Sequence, residues 1–169
     1  MRNHPQRQDA RGQMTALVAL CAALLVVGLV AHEIARHALQ ALPALLCAAA
    51  AAANVRGVRW AAAAIELFWI GIAVLIWLFL LGIAPIANGT YTAVEIAMTV
   101  AMVLAGAYGL FSGGRSGDRA GTLIAVALFM AAAAIQTAAM AVSLKPPWTN
   151  DAQFCAAYAL PLLCSASQR

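Results

Sequence analysis

The chain has 169 residues, of which 64% are hydrophobic and only 9% charged. A soluble domain carries about a quarter charged residues, so too few polar groups remain here to give a folded chain a wettable surface. The net charge of +4 does not point to nucleic acid, because the basic residues sit in short clusters between apolar stretches, the pattern that orients membrane proteins.

This composition predicts an all-α integral membrane protein, a bundle of five transmembrane helices. Residues 1–13 read as a polar cytoplasmic tail carrying Arg2, Arg7 and Arg11. The apolar stretch that follows is longer than the core of a cleaved signal peptide and lacks a clean small-x-small site, so it is expected to stay in the protein. A spanning helix needs about 20 mostly apolar residues. Candidate spans cover 14–35, 38–53, 58–84, 91–111 and 121–143, with residues 144–169 as a tail on the far side. Asn88-Gly89 and Ser112-Gly113-Gly114 are turn signals, and Lys145-Pro146-Pro147 stops the last helix.

The second span is the short one, rich in alanine and with Pro43 in its first turns, where proline is tolerated. If it does not cross, the bundle has four helices. Five fit the charges better. With the amino terminus inside, seven of the basic residues are cytoplasmic: Arg2, Arg7, Arg11, Arg56, Arg59, Arg115 and Arg119. Arg36, Lys145 and Arg169 are then the three outside, a clear positive-inside bias. The expected location is the inner (plasma) membrane of a bacterium, with the carboxyl terminus periplasmic. In the tail, the apolar stretch 154–163 is too short to span; lying in the outer interface as an amphipathic helix and docking on a partner are both open to it.

Glu66 is the sharpest single feature. It lies about eight residues into the third span, roughly 12 Å deep at 1.5 Å per residue. An ionisable side chain at that depth costs at least a few kcal/mol and normally faces the bundle interior. Proton relay, cation binding and a structural hydrogen bond are all open to it, and Arg59, two turns earlier on a similar face, is a candidate partner.

A second candidate is an outer polar pocket. The run His32-Glu33-Ile34-Ala35-Arg36-His37 ends the first span, and on a helix Glu33 meets Arg36 at i,i+3 and His37 at i,i+4. Glu95 and Gln136 are expected at a similar depth. Such a pocket offers a place for a quinone head group, a metal ion or one axial haem ligand; the alternative is interhelical hydrogen bonding. His32 and His37 stand about 140° apart around a helix, so one helix cannot aim both at one metal, and no metal site is assigned. The HExxH and CxxC motifs are missing. No catalytic residue is assigned, and no activity of its own is expected of the chain.

Two spans carry small-residue faces. Ala93, Ala97, Ala101, Ala105 and Gly109 make an i,i+4 ladder on the fourth, and Ala41, Ala44, Ala48 and Ala52 a similar face on the second. Such faces admit close helix packing, either within the bundle or against another subunit. Cys155 and Cys164 would lie on the oxidising side, where a disulfide is possible. Short loops, small size and small-residue faces favour an accessory, structural or assembly subunit of a larger membrane complex, with other membrane subunits or further copies of itself as partners in the bilayer. The alternatives are a redox protein linked to quinone or haem, and a small oligomeric transporter or channel using Glu66.

Overall fold

The computed structural model describes residues 4–84, 91–114, 121–145 and 148, with side chains from residue 11 onward. They form five α-helices and, among the described residues, no strand: α1 His4–Val30, α2 Ile34–Ala52, α3 Val58–Leu80, α4 Ala93–Gly114 and α5 Thr122–Ser143. All five are long and apolar enough to cross a membrane. The tail after Trp148, with its Cys155–Cys164 pair, lies outside the described residues.

Several boundaries differ from those expected. The first helix reaches back to His4, since glutamine and arginine are good helix formers; residues 4–10 continue the helix, while the stretch apolar enough to cross a membrane runs from Arg11 to Val30. The same helix ends at Val30, not 35, so His32 and Glu33 belong to a turn. His32 is left-handed, with φ 57°. Its N–H donates to the Leu29 carbonyl at 3.3 Å, and that of Glu33 to the Gly28 carbonyl at 2.8 Å. This is the Schellman pattern that satisfies the orphan carbonyls of a helix end.

The pattern recurs at two other helix ends. Asn54 (φ 53°) and Gly82 (φ 70°) take the left-handed position after α2 and α3. Val55 then donates to Ala50 at 3.0 Å, and Ile83 to Leu78 at 2.9 Å. The chain therefore reverses after α1 in three residues, and α2 starts at Ile34. With 19 residues it is about 28 Å long, close to the roughly 30 Å of a hydrocarbon core. The early start also moves Pro43 from the first turns to the helix interior, where it is buried.

An interior proline cannot donate to the preceding turn, and its ring disturbs the carbonyls there. Other helices serve that turn. Gln136 Nε2 on α5 donates to the Gln40 carbonyl at 3.1 Å, and the Cys21 thiol on α1 to the Ala41 carbonyl at 3.6 Å. The carbonyl that Pro43 itself leaves without a helical donor is that of Leu39; the two interhelical bonds reach the next two carbonyls of the same turn.

Helix α3 packs against each of the other four. α1 lies between α2 and α4, α5 packs on α2 and α3, and α4 and α5 do not touch although consecutive in the chain. The core joins Leu17, Leu20 and Leu24 of α1 to Ala44 and Ala48 of α2 and to Ile65 and Trp69 of α3, with Met102 and Ala132 from α4 and α5. Of the alanine face expected on α2, Ala41, Ala44 and Ala48 are buried and Ala52 is exposed.

The stripe that α4 turns inward is not the alanine ladder. Its buried residues are Thr99, Met102, Gly106, Gly109 and Gly113. Of the ladder, only Gly109 is buried; Ala101 and Ala105 are half-buried, and Ala93 and Ala97 are exposed. Gly109 has no room for a side chain, since a Cβ there would fall on the Glu66 carboxyl and lie 2.9 Å from Ala16 Cβ. Replacing it by leucine should overpack this contact, which costs about 1–3 kcal/mol, and lower Tm in mild detergent. Gly71 faces open space, so Gly71→Ala should hold Tm or raise it through helix propensity, worth about 0.5–1 kcal/mol. Equal melting of the Gly109→Leu protein and the wild type would contradict the close approach.

Candidate functional site

Glu66 lies on α3 where α1, α2 and α4 converge. Its side chain is 1% exposed, and neither carboxyl oxygen has a hydrogen-bond partner. Ala16 of α1 and Gly109 of α4 border it, and Cys47 of α2 stands close enough to feel its charge. The partner expected for it does something else: the Arg59 guanidinium lies over the Trp60 ring, 4.8 Å from its centroid, a cation–π contact. The carboxyl is thus buried without the compensating donor or cation that such a group ordinarily requires.

Between Glu66 and the end of the bundle where α1 begins, the surroundings become polar. Gln13 of α1 is buried and donates through Nε2 to the Arg59 carbonyl at 3.3 Å. A Cβ at Gly113 would come within 2.7 Å of that same amide nitrogen. One step further out, a Cβ at Gly12 would meet Ser112 Oγ at 3.1 Å and Tyr108 Oη at 3.4 Å. Gln13, Ser112 and Tyr108 therefore line a seam in which glycine backbone from α1 and α4 replaces side chains. In the other direction from Glu66, the space beside Gly106 is filled by Ile70, 3.0 Å from where a Cβ would stand.

The predicted outer pocket is assembled only in part. Glu33 and Arg36 form an ion pair at 2.5 Å. His37, half-buried on α2, packs so closely on α1 that a Cβ at Gly28 would lie 2.8 Å from its own Cβ. The Glu33 and Glu95 carboxylates both act on the His37 charge, whereas His32 is exposed on the turn. Glu95 has a structural task. Its Oε2 accepts from Thr92 N at 2.7 Å and from Thr92 Oγ1 at 2.8 Å, while its own N–H donates to Thr92 Oγ1 at 3.2 Å. This is a capping box for the start of α4. Among the described residues, no three His, Cys, Asp or Glu side chains come together as a metal site.

Gln136 joins a cluster that sequence reasoning missed. Gln40 Nε2 donates to Ser143 Oγ at 2.8 Å and also meets Met140 Sδ at 3.2 Å. Ser143 Oγ passes a bond on to the Met140 carbonyl at 2.7 Å. Together with the Gln136 bond to the Gln40 backbone, these contacts hold α5 to α2. A lone glutamine in an alanine and leucine stretch was the available signal for Gln40, as a lone carboxylate was for Glu66. Gln13 gave no such signal, because it follows on from a polar segment.

Hydrogen bonds between apolar helices are worth about 0.6 kcal/mol on average and about 1.7 at most. A double-mutant cycle of Gln40→Leu and Ser143→Ala, read from unfolding in detergent, should give a coupling within that range. A coupling indistinguishable from zero would show that the two side chains do not act together.

No protein-family model matches this chain, and neither the curated proteins nor the solved structures contain a match.

Proposed function

We propose that the protein is a multi-pass protein of the bacterial inner membrane that acts as an accessory, structural or assembly subunit of a larger membrane complex, docking through α5. The observation that carries this reading is the outward face of that helix. Only Ala125, Ala132, Gln136 and Ser143 of α5 are buried. Ala127, Ala131, Ala134, Ala138 and Ala141 are all exposed, at alternating spacings of four and three on the side opposite the buried face. Large exposed residues, among them Met130 and Ile135, flank the stripe.

That spacing suits a helix crossing of about 20°. In lipid, helices associate through close packing of small residues and not through hydrophobicity, which the acyl chains supply equally well. A stripe of alanines between bulky flanks is a groove for another helix. The exposed Ala93 and Ala97 of α4 add a smaller surface of the same kind.

Orientation follows the basic residues. Arg11, Arg56 and Arg59 share the end of the bundle where α1 begins, and Arg36 at the opposite end is already paired with Glu33. The positive-inside rule then puts the first end in the cytoplasm.

Purified at native expression in a mild detergent, the protein should carry a stoichiometric membrane partner. Ala134→Trp should abolish that association while leaving the Tm of the isolated chain unchanged. A wild-type protein that runs alone as a monomer would sink the reading, and association of further copies alone would replace the foreign partner with a homo-oligomer. For topology, Arg56→Cys and Lys145→Cys in a variant stripped of its native cysteines should react with an impermeant thiol reagent from opposite faces. Reaction of both from one face would remove the odd helix count.

A further inference from the structure

Among the described residues, six buried side chains carry an amide, hydroxyl or carboxyl group: Gln13, Gln40, Glu66, Thr99, Gln136 and Ser143. Five of them hydrogen-bond: Gln13 to the Arg59 carbonyl, Gln40 to Ser143, Gln136 to the Gln40 carbonyl, Ser143 to the Met140 carbonyl, and Thr99 both to Trp77 Nε1 and to the Ile96 carbonyl. Glu66 alone has both side-chain oxygens unpartnered. Gln136 leaves its Oε1 without a partner but is anchored through Nε2; a carboxyl kept for structure would have at least one such bond, since a buried polar group without a partner is destabilising. The one ionisable member of the set is the one with no side-chain hydrogen bond at all.

We infer that Glu66 is a proton-binding site, loaded and unloaded along the polar, glycine-walled seam between α1 and α4, on the side towards the end of the bundle where α1 begins. Gly109 provides the space the carboxyl occupies. From Gly109 to Gly113 is one helical turn, about 6 Å, and the Gln13 amide lies there against Gly113. The Ser112 and Tyr108 hydroxyls lie against Gly12, the residue before Gln13, and Tyr108 is itself exposed. Towards the other end the neighbours are Ile70 against Gly106 and the buried Trp69 and Ala73, so the hydroxyl and amide groups that could pass a proton lie on the Gly113 side.

The ligand is a proton and not a metal ion because a cation such as Na⁺ or Ca²⁺ needs several oxygen ligands, and among the described residues Glu66 belongs to no group of three His, Cys, Asp or Glu side chains. The groups around the carboxyl leave its charge uncompensated. Cys47 of α2 is the titratable side chain that senses it, α1 and α4 present Ala16 and Gly109, and α5 contains no titratable residue. Proton binding converts the carboxylate to the neutral acid, with no other bond made or broken. This role is independent of docking through α5.

The test is infrared spectroscopy of the full chain in lipid nanodiscs, with glutamate carboxyls labelled with carbon-13. A carboxylic C=O band should be present at low pH, fade as pH rises, shift on transfer to D2O, and be missing from the Glu66→Gln protein. Gln13→Leu should slow the D2O shift at least tenfold. If Glu66→Gln fails to fold, the Glu33→Gln/Glu95→Gln protein decides instead, because Glu66 is then the only labelled glutamate. The proposal is overturned by a labelled band missing at every pH where the protein stays folded, or by one indifferent to pH or to D2O. Loss of the band on exchanging choline for sodium at constant pH would also overturn it, in favour of a metal cation. An unchanged exchange rate in Gln13→Leu would overturn the assigned route.

Discussion

The bundle is organised around one close approach, that of α4 to α3 and α1 at Gly109. Glycine is required there because the Glu66 carboxyl occupies the volume that any side chain would need. The contact sets the separation of three helices at once, and from it follows the rest of the α4 stripe, Gly106 against Ile70 and Gly113 against Gln13. Packing of this kind works in an apolar solvent because it depends on dispersion between fitted surfaces, not on expelling water.

The opposite end is secured by different means. There α5 is held to α2 by side-chain hydrogen bonds centred on Gln40, in the turn that Pro43 disrupts. The proline and the glutamines share one turn: Pro43 removes the donor for the Leu39 carbonyl, and a buried amide on a neighbouring helix bonds the adjacent Gln40 carbonyl. The same amides would be a liability in a helix that faced lipid alone.

The five helices were legible because length and apolarity alone mark them. Their ends were less so. At Gly82 and Asn54 the left-handed residue is of a type that favours that conformation, but at His32 nothing local announces it. The histidine run therefore read as the end of a helix, and the second helix looked short for a span. Small-residue spacing misdirected for a related reason. In an alanine-rich chain a ladder of alanines is easy to find, whereas the packed face of α4 follows its glycines, at 106, 109 and 113. Glu66 was legible from its depth, but its lack of pairing with Arg59 was not, since sequence spacing cannot say which way a long flexible cation turns. Glu95 and Gln136 were grouped in one pocket from their expected depth, whereas Glu95 bonds Thr92 at the start of α4 and Gln136 bonds the Gln40 carbonyl of α2.

The position of α3 between α4 and α5 bears on biogenesis. The chain is made from the amino end, so α1, α2 and α3 exist before α4 does. Ala16 and Cys47 can reach Glu66 at that stage, but the wall supplied by Gly109 cannot. Through that interval one side of the carboxyl is open to whatever surrounds the nascent chain, whether lipid, water or the insertion machinery. Closure of the polar centre is thus a late event, timed by the synthesis of α4, and a chain truncated after α3 would display the carboxyl that the full chain conceals.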